Sequence, residues 1–412
     1  MKTSDVAVIG GGPAGMIAAA FASETKSVTI FEKNGVFGKK LLITGKGRCN
    51  VTNDTPVREF TENVPRGGKF LMSALNGFSP LDTMEFFESL GVPLKTERGN
   101  RVFPESDKAV DIRDAMVRRM KASSNIRTEF SDVKNIVKND DGSFTVFHEK
   151  GRDTFDSVIV ATGGLSYPRT GSTGAGYEFA KELGHTIVPC VPSLVPLECR
   201  ERYCAKLMGL SLKNCAVRFM QDSKCVYEDF GELLFTHFGV SGPVILSASC
   251  HLDPDKAKKG MYKLFIDLKP ALDEAKLDKR VLSDFSGELN KVYENSLSAL
   301  LPSKLIPVMV EMSGIPPRKR VNEITREERQ RLVRLLKAFP LTVSGKRPID
   351  EAIITSGGVS LKEVDPKTME SKIVQGLYFA GEILDCDAYT GGFNLQIAFS
   401  TGAACGRAVA KL

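Results

Sequence analysis

The feature that most constrains the fold is a glycine-rich segment near the start of the chain, VAVIGGGPAG, at residues 6–15. Its first four residues form a short apolar run, which predicts a buried strand. The glycines that follow, Gly10, Gly12 and Gly15, have the spacing G-x-G-x-x-G. The first allows a tight turn, the second a close backbone approach to a ligand, and the third close packing of a helix on the strand. The small residues at 14–22 predict that helix.

The residue that ends the next predicted strand indicates which ligand this turn would bind. A strand at residues 27–31 is followed by Glu32, whose carboxylate can accept hydrogen bonds from ribose hydroxyls. A diphosphate would lie at the N-terminus of the first helix, where free N–H groups and the helix dipole favour negative charge. A glycine-rich segment alone can be only a turn, but strand, helix and acid together predict a dinucleotide site, and the acid favours FAD or NAD over NADP. The predicted contacts here are Gly10, Gly12, Pro13, Ala14, Gly15, Glu32 and Lys33.

Length and composition place limits on the rest of the molecule. With 412 residues, 42% of them hydrophobic and 26% charged, the chain is expected to be globular and to form two or three domains. The net charge of +6 suits an anionic ligand or substrate but does not predict nucleic-acid binding. No two of the nine cysteines have CxxC spacing, and no His/Cys group has metal-ligand spacing. Neither a dithiol nor a metal site is therefore predicted.

The expected location of the protein follows from the cysteines and from the apolar runs. Scattered thiols favour a reducing compartment. The N-terminal apolar run is interrupted by Gly-Gly-Gly-Pro, unlike a signal peptide, and no later run reaches membrane-spanning length. We therefore expect a cytoplasmic protein without a membrane partner.

Two later segments distinguish a flavoprotein from other dinucleotide-binding proteins. Residues 156–164, DSVIVATGG, read as a buried strand that runs into a glycine turn, after alternating strands joined at Asp141-Gly142. Near the C-terminus, a strand at 377–380 is followed by Gly381-Glu382 and by a helix at 394–410. Together these pieces resemble the two-dinucleotide-binding-domain flavoproteins, in which the last helix points its N-terminus at the flavin pyrimidine edge. The alternative is an ordinary last strand and helix of an α/β sheet.

A narrower resemblance covers the chain from Asp5 to its C-terminus. The segments GKKLLITGKGRCNVTN, RVFPESDKAVDI, YPRTGSTGAGYEFAKELGHTI, GELLFTHFGVSGP, TSGGVSLKEV and GEILDCDAYTGGFNLQIAFSTG resemble the BaiN/YhiN-type FAD-dependent oxidoreductases, the aminoacetone oxidase family of flavoproteins. The resemblance implies non-covalently bound FAD and a three-part architecture. It leaves the substrate open, because members with different activities share these motifs. Phe393 stands where some members have tyrosine, which removes a hydroxyl near the cofactor helix.

The resemblance also implies which further residues lie along FAD. The physical arguments agree for the loop at residues 39–53, since Gly45 and Gly47 permit close approach, Lys46 and Arg48 can offset phosphate charge, and an amide side chain can bond flavin polar edges. These cofactor residues are Lys40, Thr44, Gly45, Arg48, Cys49, Asn50, Val133, Ala161, Thr162, Gly163, Gly164, Gly381, Glu382, Asp385, Gly392, Phe393, Asn394 and Leu395.

Cys49 admits two interpretations. Flanking cationic residues can lower a thiol pKa, which would make Cys49 reactive. It has no second cysteine close by in sequence, unlike the disulfide reductases of this superfamily. We therefore favour a small side chain beside the flavin.

The domain boundaries are predicted from changes of pattern. A discontinuous Rossmann-like FAD-binding domain is expected at residues 1–189 and 344–412, with an inserted β-rich, barrel-like substrate domain at 190–270 and a helical subdomain at 271–343. A basic run at 316–337 could touch RNA, but its interleaved glutamates favour a solvated helix face. Residues 170–184 predict a loop that caps a helix rather than a second nucleotide fingerprint. NAD(P)H would then dock only transiently, or the organic substrate would itself supply electrons.

Catalytic candidates come from segments expected near the flavin, which we place at the seam between cofactor domain and insert. Arg169 can bind a carboxylate or carbonyl oxygen. His237 can act as acid or base, although a structural imidazole explains it equally well. Tyr389 can protonate an enolate-like carbon or line the pocket, and Tyr167 lies in the loop after the A-T-G-G turn.

Three functions remain open from sequence. The favoured one is an FAD-dependent oxidoreductase that transfers hydride between flavin N5 and a small organic substrate, by C=C reduction or by amine or alcohol oxidation. The alternatives are a flavin-dependent RNA-modifying enzyme and a non-catalytic flavin-binding redox sensor. The sequence leaves the oligomeric state undetermined.

Overall fold

The computed structural model describes residues 4–412, which fold into strands and helices arranged as two compact units. The strands are β1 (Val6–Ile9), β2 (Val28–Phe31), β3 (Thr52–Asn53), β4 (Leu94–Glu97), β5 (Arg101–Pro104), β6 (Ile126–Glu129), β7 (Val133–Lys138), β8 (Phe144–His148), β9 (Gly151–Phe155), β10 (Ser157–Val160), β11 (Ile187–Ser193), β12 (Leu197–Cys199), β13 (Ser211–Gln221), β14 (Lys224–Phe235), β15 (Gly239–Ser241), β16 (Tyr262–Asp267), β17 (Phe339–Lys346), β18 (Ile354–Val359) and β19 (Leu377–Phe379). The helices are α1 (Pro13–Ala22), α2 (Val57–Glu62), α3 (Gly68–Gly77), α4 (Pro80–Ser89), α5 (Ala109–Lys121), α6 (Ala175–Glu182), α7 (Tyr203–Lys206), α8 (Pro243–Ala248), α9 (Pro254–Lys258), α10 (Glu274–Ser286), α11 (Tyr293–Ser296), α12 (Ile306–Ser313), α13 (Arg326–Lys337) and α14 (Phe393–Ala410).

The first unit is built on a five-stranded parallel sheet in the order β19-β10-β1-β2-β6. Every residue of β1, β2 and β10 is buried, as expected for strands that are covered on both faces. The chain leaves β1 toward β2 on one side and later returns to β10 on the other. The carboxyl end of β1 is therefore a topological switch point, the usual ligand position in such sheets.

Helices α1 and α14 pack closely because small residues line their contact. A Cβ added at Gly402 would lie 2.4 Å from the carbonyl oxygen of Ala14, and one at Gly406 would lie 2.5 Å from that of Ala18. Neither position can therefore hold a side chain without separating the helices. This contact fixes the last helix of the chain against the first.

Smaller antiparallel sheets complete the first unit. Strands β7, β8 and β9 form a meander, and Gly142 at its first turn has φ +85°. Strands β3, β5 and β4 form a second sheet, and β11 pairs with β18. The predicted meander with its Asp-Gly turn is confirmed.

The second unit contains a closed antiparallel barrel of six strands, in the order β12-β15-β14-β13-β16-β17. Helices α10–α13 share the apolar core of this unit with the barrel. Helix α13 begins at a capping box, in which the Thr325 hydroxyl and the Glu328 carboxylate bond each other's backbone N–H groups. The predicted fold class, a Rossmann-like flavoprotein with an inserted barrel-like and helical region, is confirmed.

The two units divide the chain at residues 193/194 and 348/349. The barrel and the helices α10–α13 belong to one unit by this division. The predicted three-part boundaries at 189/190, 270/271 and 343/344 stay a prediction. No helix within residues 4–412 is both long enough and apolar enough to cross a membrane.

Candidate cofactor site and active site

The glycine turn after β1 is shaped by close backbone contacts and faces open space. Gly10 has φ +106°, and a Cβ there would lie 2.5 Å from the carbonyl oxygen of Ala161. A Cβ at Gly15 would lie 1.9 Å from the carbonyl oxygen of Gly10, whereas a Cβ at Gly12 would meet no atom within 4 Å. Helix α1 also starts without a side-chain cap or an acidic residue in its first turn. The open space and the free helix N-terminus fit an anionic diphosphate.

Glu32 lies at the carboxyl end of β2, beside this turn. Its side chain accepts hydrogen bonds from the Gly11 N–H at 2.9 Å and from the Asn34 N–H and Nδ2 at 2.7 and 2.8 Å. A carboxylate has about four acceptor positions, so about one is left for a ribose hydroxyl. Lys33 instead donates to the hydroxyl of Thr173 at 2.8 Å.

The loop between β2 and β3 has an unusual backbone. Gly45, Lys46, Gly47 and Cys49 have φ values of +55°, +58°, +84° and +60°. Cys49 is fully buried, and burial raises the pKa of its thiol to about 12. The thiol is therefore protonated at neutral pH, which disfavours the reactive-thiolate interpretation.

Asn50 and the start of α14 form the second part of the candidate cofactor site. The Oδ1 atom of Asn50 is buried and has no hydrogen-bond partner among residues 4–412. A Cβ at Gly392, the N-cap of α14, would lie 2.9 Å from that oxygen. Helix α14 has neither a side-chain cap nor an acidic residue in its first turn. An unsatisfied acceptor beside free helix N–H groups fits a ring whose polar edge both donates and accepts, such as the flavin pyrimidine.

The turn after β10 holds another unsatisfied group. The hydroxyl of Thr162 is buried and has no hydrogen-bond partner within residues 4–412. Gly163 has φ +74°, and Ala161 is buried beside Gly10. Thr162 thus lies at the switch point of the sheet, next to the glycine turn, and its hydroxyl lies close to the start of α6, where a Cβ added at Gly176 would be 2.0 Å from it.

Several residues assigned to the cofactor from sequence have protein partners. Arg48 pairs with Glu97 at 2.5 Å and with Asp107 at 2.6 Å, and Phe103 packs against its guanidinium. The Asn394 amide bonds the backbone of residues 388 and 389 just before α14. These side chains shape the neighbouring loops. Direct contact of either one with FAD stays a prediction, as it does for Lys33, Thr44, Val133, Phe393 and Leu395.

Glu382, in the turn after β19, is the point where three distant segments meet. Its Oε2 accepts from Lys40 Nζ at 2.6 Å, while its Oε1 accepts from the Ser166 hydroxyl and the Thr355 N–H, both at 2.8 Å. Lys40 also donates to the Ser166 hydroxyl at 2.6 Å. The Glu382 side chain thus binds protein groups directly. Sequence reasoning missed Ser166 and Thr355, although Ser166 follows the A-T-G-G turn by two residues.

Asp385 and Asp387 precede α14 but do not cap it, because the N-cap is Gly392. Arg66 donates to Asp385 at 2.9 Å, and its Nε lies 3.9 Å from Asp387. Asp387 is buried and accepts from the hydroxyls of Ser193 and Ser356 at 2.7 and 2.8 Å. Arg66 is a further residue that sequence reasoning missed, since no motif marks it.

The structure places the four catalytic candidates in different surroundings. Tyr167 is half-buried, with its ring centroid 5.8 Å from Lys40 Nζ, and Arg169 is exposed in the following short helical turn. Tyr389 is half-buried, and its N–H donates to the Asn63 carbonyl oxygen at 3.0 Å. His237 is exposed on the turn between β14 and β15 of the second unit. Tyr167 is thus close to the Lys40–Glu382 cluster.

A match to a protein-family model shows which family the chain belongs to. The HI0933-like protein Rossmann domain matches residues 4–408. The chain belongs to this HI0933-like family. It is an FAD-dependent oxidoreductase, which confirms the flavoprotein prediction and the resemblance drawn from the sequence motifs.

Two relatives match over nearly their whole length. A 3-dehydro-bile acid delta(4,6)-reductase of Clostridium scindens is 33% identical over 98% of this chain and 99% of its own. A ribosomal RNA dihydrouridine synthase of Haemophilus influenzae is 30% identical over 99% of both chains. A solved structure, the 3-ketosteroid-delta4-(5alpha)-dehydrogenase of Rhodococcus jostii RHA1, superposes with a TM-score of 0.54 at 16% identity, covering 99% of this chain and 97% of that one. At this identity the solved structure supports the fold alone.

Proposed function

We propose that this HI0933-like oxidoreductase reduces a C=C bond conjugated to a carbonyl group. The main support for this proposal is the type of bond that the reactions named for the two relatives have in common. A 3-dehydro bile acid with delta(4,6) unsaturation is a conjugated ketone, and dihydrouridine is uridine with one such C=C bond saturated. The substrates differ in size and charge, but the bond that is reduced is of the same kind.

The residues that would hold FAD come from all parts of the first unit. The open space at Gly12 and the start of α1 would receive the diphosphate, and Glu32 the ribose. Asn50 and the start of α14 would bind the polar edge of the flavin. When bound, the flavin supplies hydride chemistry to the substrate. We propose that FAD is bound non-covalently, because the Cys49 thiol, in the loop between β2 and β3, is buried and protonated.

We propose NAD(P)H as a transient electron donor. The segment before α6 is the short helical turn Pro168–Thr170 and not a buried strand. It therefore lacks the strand that a second dinucleotide fingerprint requires. A donor that binds only briefly needs no dedicated domain.

A small conjugated ketone is the substrate class we favour over RNA. In the basic run, Lys319, Arg329 and Lys337 form ion pairs with Glu328, Asp278 and Asp267. Two exposed glutamates, Glu323 and Glu327, lie among the exposed arginines of the run and weaken attraction to a polyanion. RNA remains the second candidate because the Haemophilus relative is named as acting on ribosomal RNA.

The proposal is tested by measuring two half-reactions separately under anaerobic conditions. Both are monitored through the absorbance of the flavin. The purified holoprotein is reduced with NADH or NADPH and then mixed with a cyclic enone or with unmodified ribosomal RNA. We expect the enone to reoxidise the flavin and to be recovered as the saturated ketone, while the saturated ketone itself has no effect. Reoxidation by RNA alone would favour the second candidate. Bleaching of the oxidised flavin by amines or alcohols, with no response to enones or RNA, would contradict C=C reduction.

A further inference from the structure

Tyr167 has a backbone conformation that bulky residues rarely adopt. Its φ and ψ are +53° and +58°, in the left-handed region, and Pro168 follows it. A tyrosine there is a steric outlier. Such strain persists only where the surroundings fix the backbone, and it clusters at functional sites.

Hydrogen bonds fix the chain on both sides of Tyr167. Before it, the N–H groups of Leu165 and Ser166 donate to the Thr355 hydroxyl at 2.7 and 3.1 Å, and the Ser166 hydroxyl oxygen lies 3.1 Å from the Ile353 carbonyl oxygen. After it, the N–H and the hydroxyl of Thr170 bond the Tyr167 carbonyl oxygen at 2.8 and 2.7 Å. The strained conformation is therefore imposed by the surrounding structure.

The ring of Tyr167 lies near a fixed positive charge, and its hydroxyl has no hydrogen-bond partner among the described residues. Lys40 Nζ lies 5.8 Å from the ring centroid and is held in place by Ser166 and Glu382. The Tyr167 hydroxyl forms no hydrogen bond with any of residues 4–412, and burial raises the pKa of the phenol. The phenol thus keeps its proton at neutral pH, and a nearby ammonium would stabilise the phenolate left after the proton is given away.

We propose that Tyr167 is the proton donor for the reduced C=C bond and that Lys40, Ser166 and Glu382 are its positioning residues. The inference rests on the proposed function. The substrate takes a hydride at its β-carbon from the reduced flavin, which is oxidised, and takes a proton at its α-carbon. The O–H bond of Tyr167 breaks as the α C–H bond forms, and water then reprotonates the phenolate. A nicotinamide-class donor reduces the flavin again.

The strain is tested without any turnover, by comparing Tyr167→Gly with Tyr167→Ala in thermal unfolding of the holoprotein. At an ordinary position glycine is the less stable of the two, but in the left-handed region the order reverses. We expect the glycine variant to melt several degrees above the alanine variant. An alanine variant that melts at the same temperature or higher would overturn the claim that Tyr167 is strained.

Proton donation is tested with Tyr167→Phe, which keeps the ring and lacks the hydroxyl. Flavin reduction by NAD(P)H should be unchanged, whereas reoxidation by the enone should fall by about 10²–10⁴-fold. Tyr293→Phe, on α11 and outside the predicted substrate domain, is the matched control and should be reoxidised at the wild-type rate. Reoxidation at the wild-type rate in Tyr167→Phe would overturn the inference and leave C=C reduction standing. A wild-type protein that is inert to enones and RNA would overturn both.

The positioning role of Lys40 is tested by the pH profile of reoxidation. In Lys40→Met the phenolate loses its nearby cation, so the phenol pKa rises and the alkaline limb of the profile should move to higher pH. Lys40→Arg keeps the charge, so the alkaline limb should lie at the same pH as in the wild type. A lower rate with an unmoved limb would show that Lys40 is merely structural and would overturn its assignment.

Discussion

Lys40 and Glu382 lie 342 residues apart in the chain and form an ion pair of 2.6 Å in the first unit. The pair joins the loop after β2 to the turn after β19, and Ser166 bonds both partners. The Lys40 and Glu382 side chains are only 21% and 15% exposed. Because solvent screens such a pair weakly, its loss should be measurable.

Glu382→Gln removes the charge of this carboxylate while keeping its shape. We expect the free energy of unfolding to fall by about 1–3 kcal/mol, the usual cost of leaving a charged hydrogen-bonding group without its partner. FAD affinity should fall as well, because Lys40 is no longer held. Chemical denaturation and flavin titration measure the two effects. Glu88→Gln, an exposed position on α4, is the control, and equal behaviour of the two variants would contradict the account.

Gly12→Ala and Gly15→Ala should separate ligand binding from folding. A Cβ at Gly12 meets no protein atom within 4 Å, so the apoprotein should keep its stability within about 0.5 kcal/mol. It would enter the space expected to hold the diphosphate, and FAD affinity should fall at least tenfold. A Cβ at Gly15 lies 1.9 Å from a backbone oxygen, so that variant should lose stability as well. Unchanged FAD affinity in Gly12→Ala would place the diphosphate elsewhere.

From the buried position of His185 we predict how the free energy of unfolding depends on pH. Its Nε2 lies 2.9 Å from the Ser371 hydroxyl and its Nδ1 lies 3.3 Å from Glu363 Oε2, in a buried position. Burial lowers the pKa of His185 below its ordinary value of 6.5. The unfolded chain therefore takes up this proton first as the pH falls. The contribution of His185 to the free energy of unfolding is therefore present above about pH 6.5 and is lost as the pH falls below that value.

Denaturation midpoints between pH 8 and pH 5 test this claim. Burial also lowers the pKa of His251, so the wild-type slope contains both residues. His185→Gln should flatten the slope, and His251→Gln serves as the comparison. A His185→Gln variant with an unaltered slope would refute the assignment.

Cys49 should be inert to thiol reagents in the folded protein. Cys225 is exposed, whereas Cys49 is buried with its pKa raised to about 12. Peptide mapping after brief alkylation should find label on Cys225 and none on Cys49. Cys49→Ala should retain flavin reduction by NAD(P)H. Rapid labelling of Cys49, or loss of reduction in Cys49→Ala, would support a redox thiol instead.

The features that the sequence predicted are local ones. The glycine spacing with Glu32 predicted the turn after β1, and alternating apolar residues predicted the meander and parts of the barrel. The periodicity of apolar residues and the residue preferences of turns depend on only a few neighbouring residues. Both can therefore be recognised within one segment. The helix predicted at residues 394–410 is observed as α14, which begins one residue earlier.

The partners of long side chains could not be predicted in the same way. Arg48 pairs with Glu97 and Asp107, which lie on and after a hairpin about fifty residues away. Thr355 contacts Ser166 because β18 belongs to the first unit, a placement that depends on tertiary packing. Such contacts require the relative position of distant segments, which periodicity does not provide.

Whether three distant segments bind one FAD is decided by its dissociation constant for the wild-type apoprotein and for one variant from each segment, Gly12→Ala, Asn50→Ala and Glu382→Gln. We expect one FAD per chain, released intact on denaturation, and an affinity for FAD at least tenfold weaker in every variant that still folds. A wild-type chain that binds no FAD, or a folded variant with wild-type affinity, would contradict the claim that these distant segments together hold one flavin.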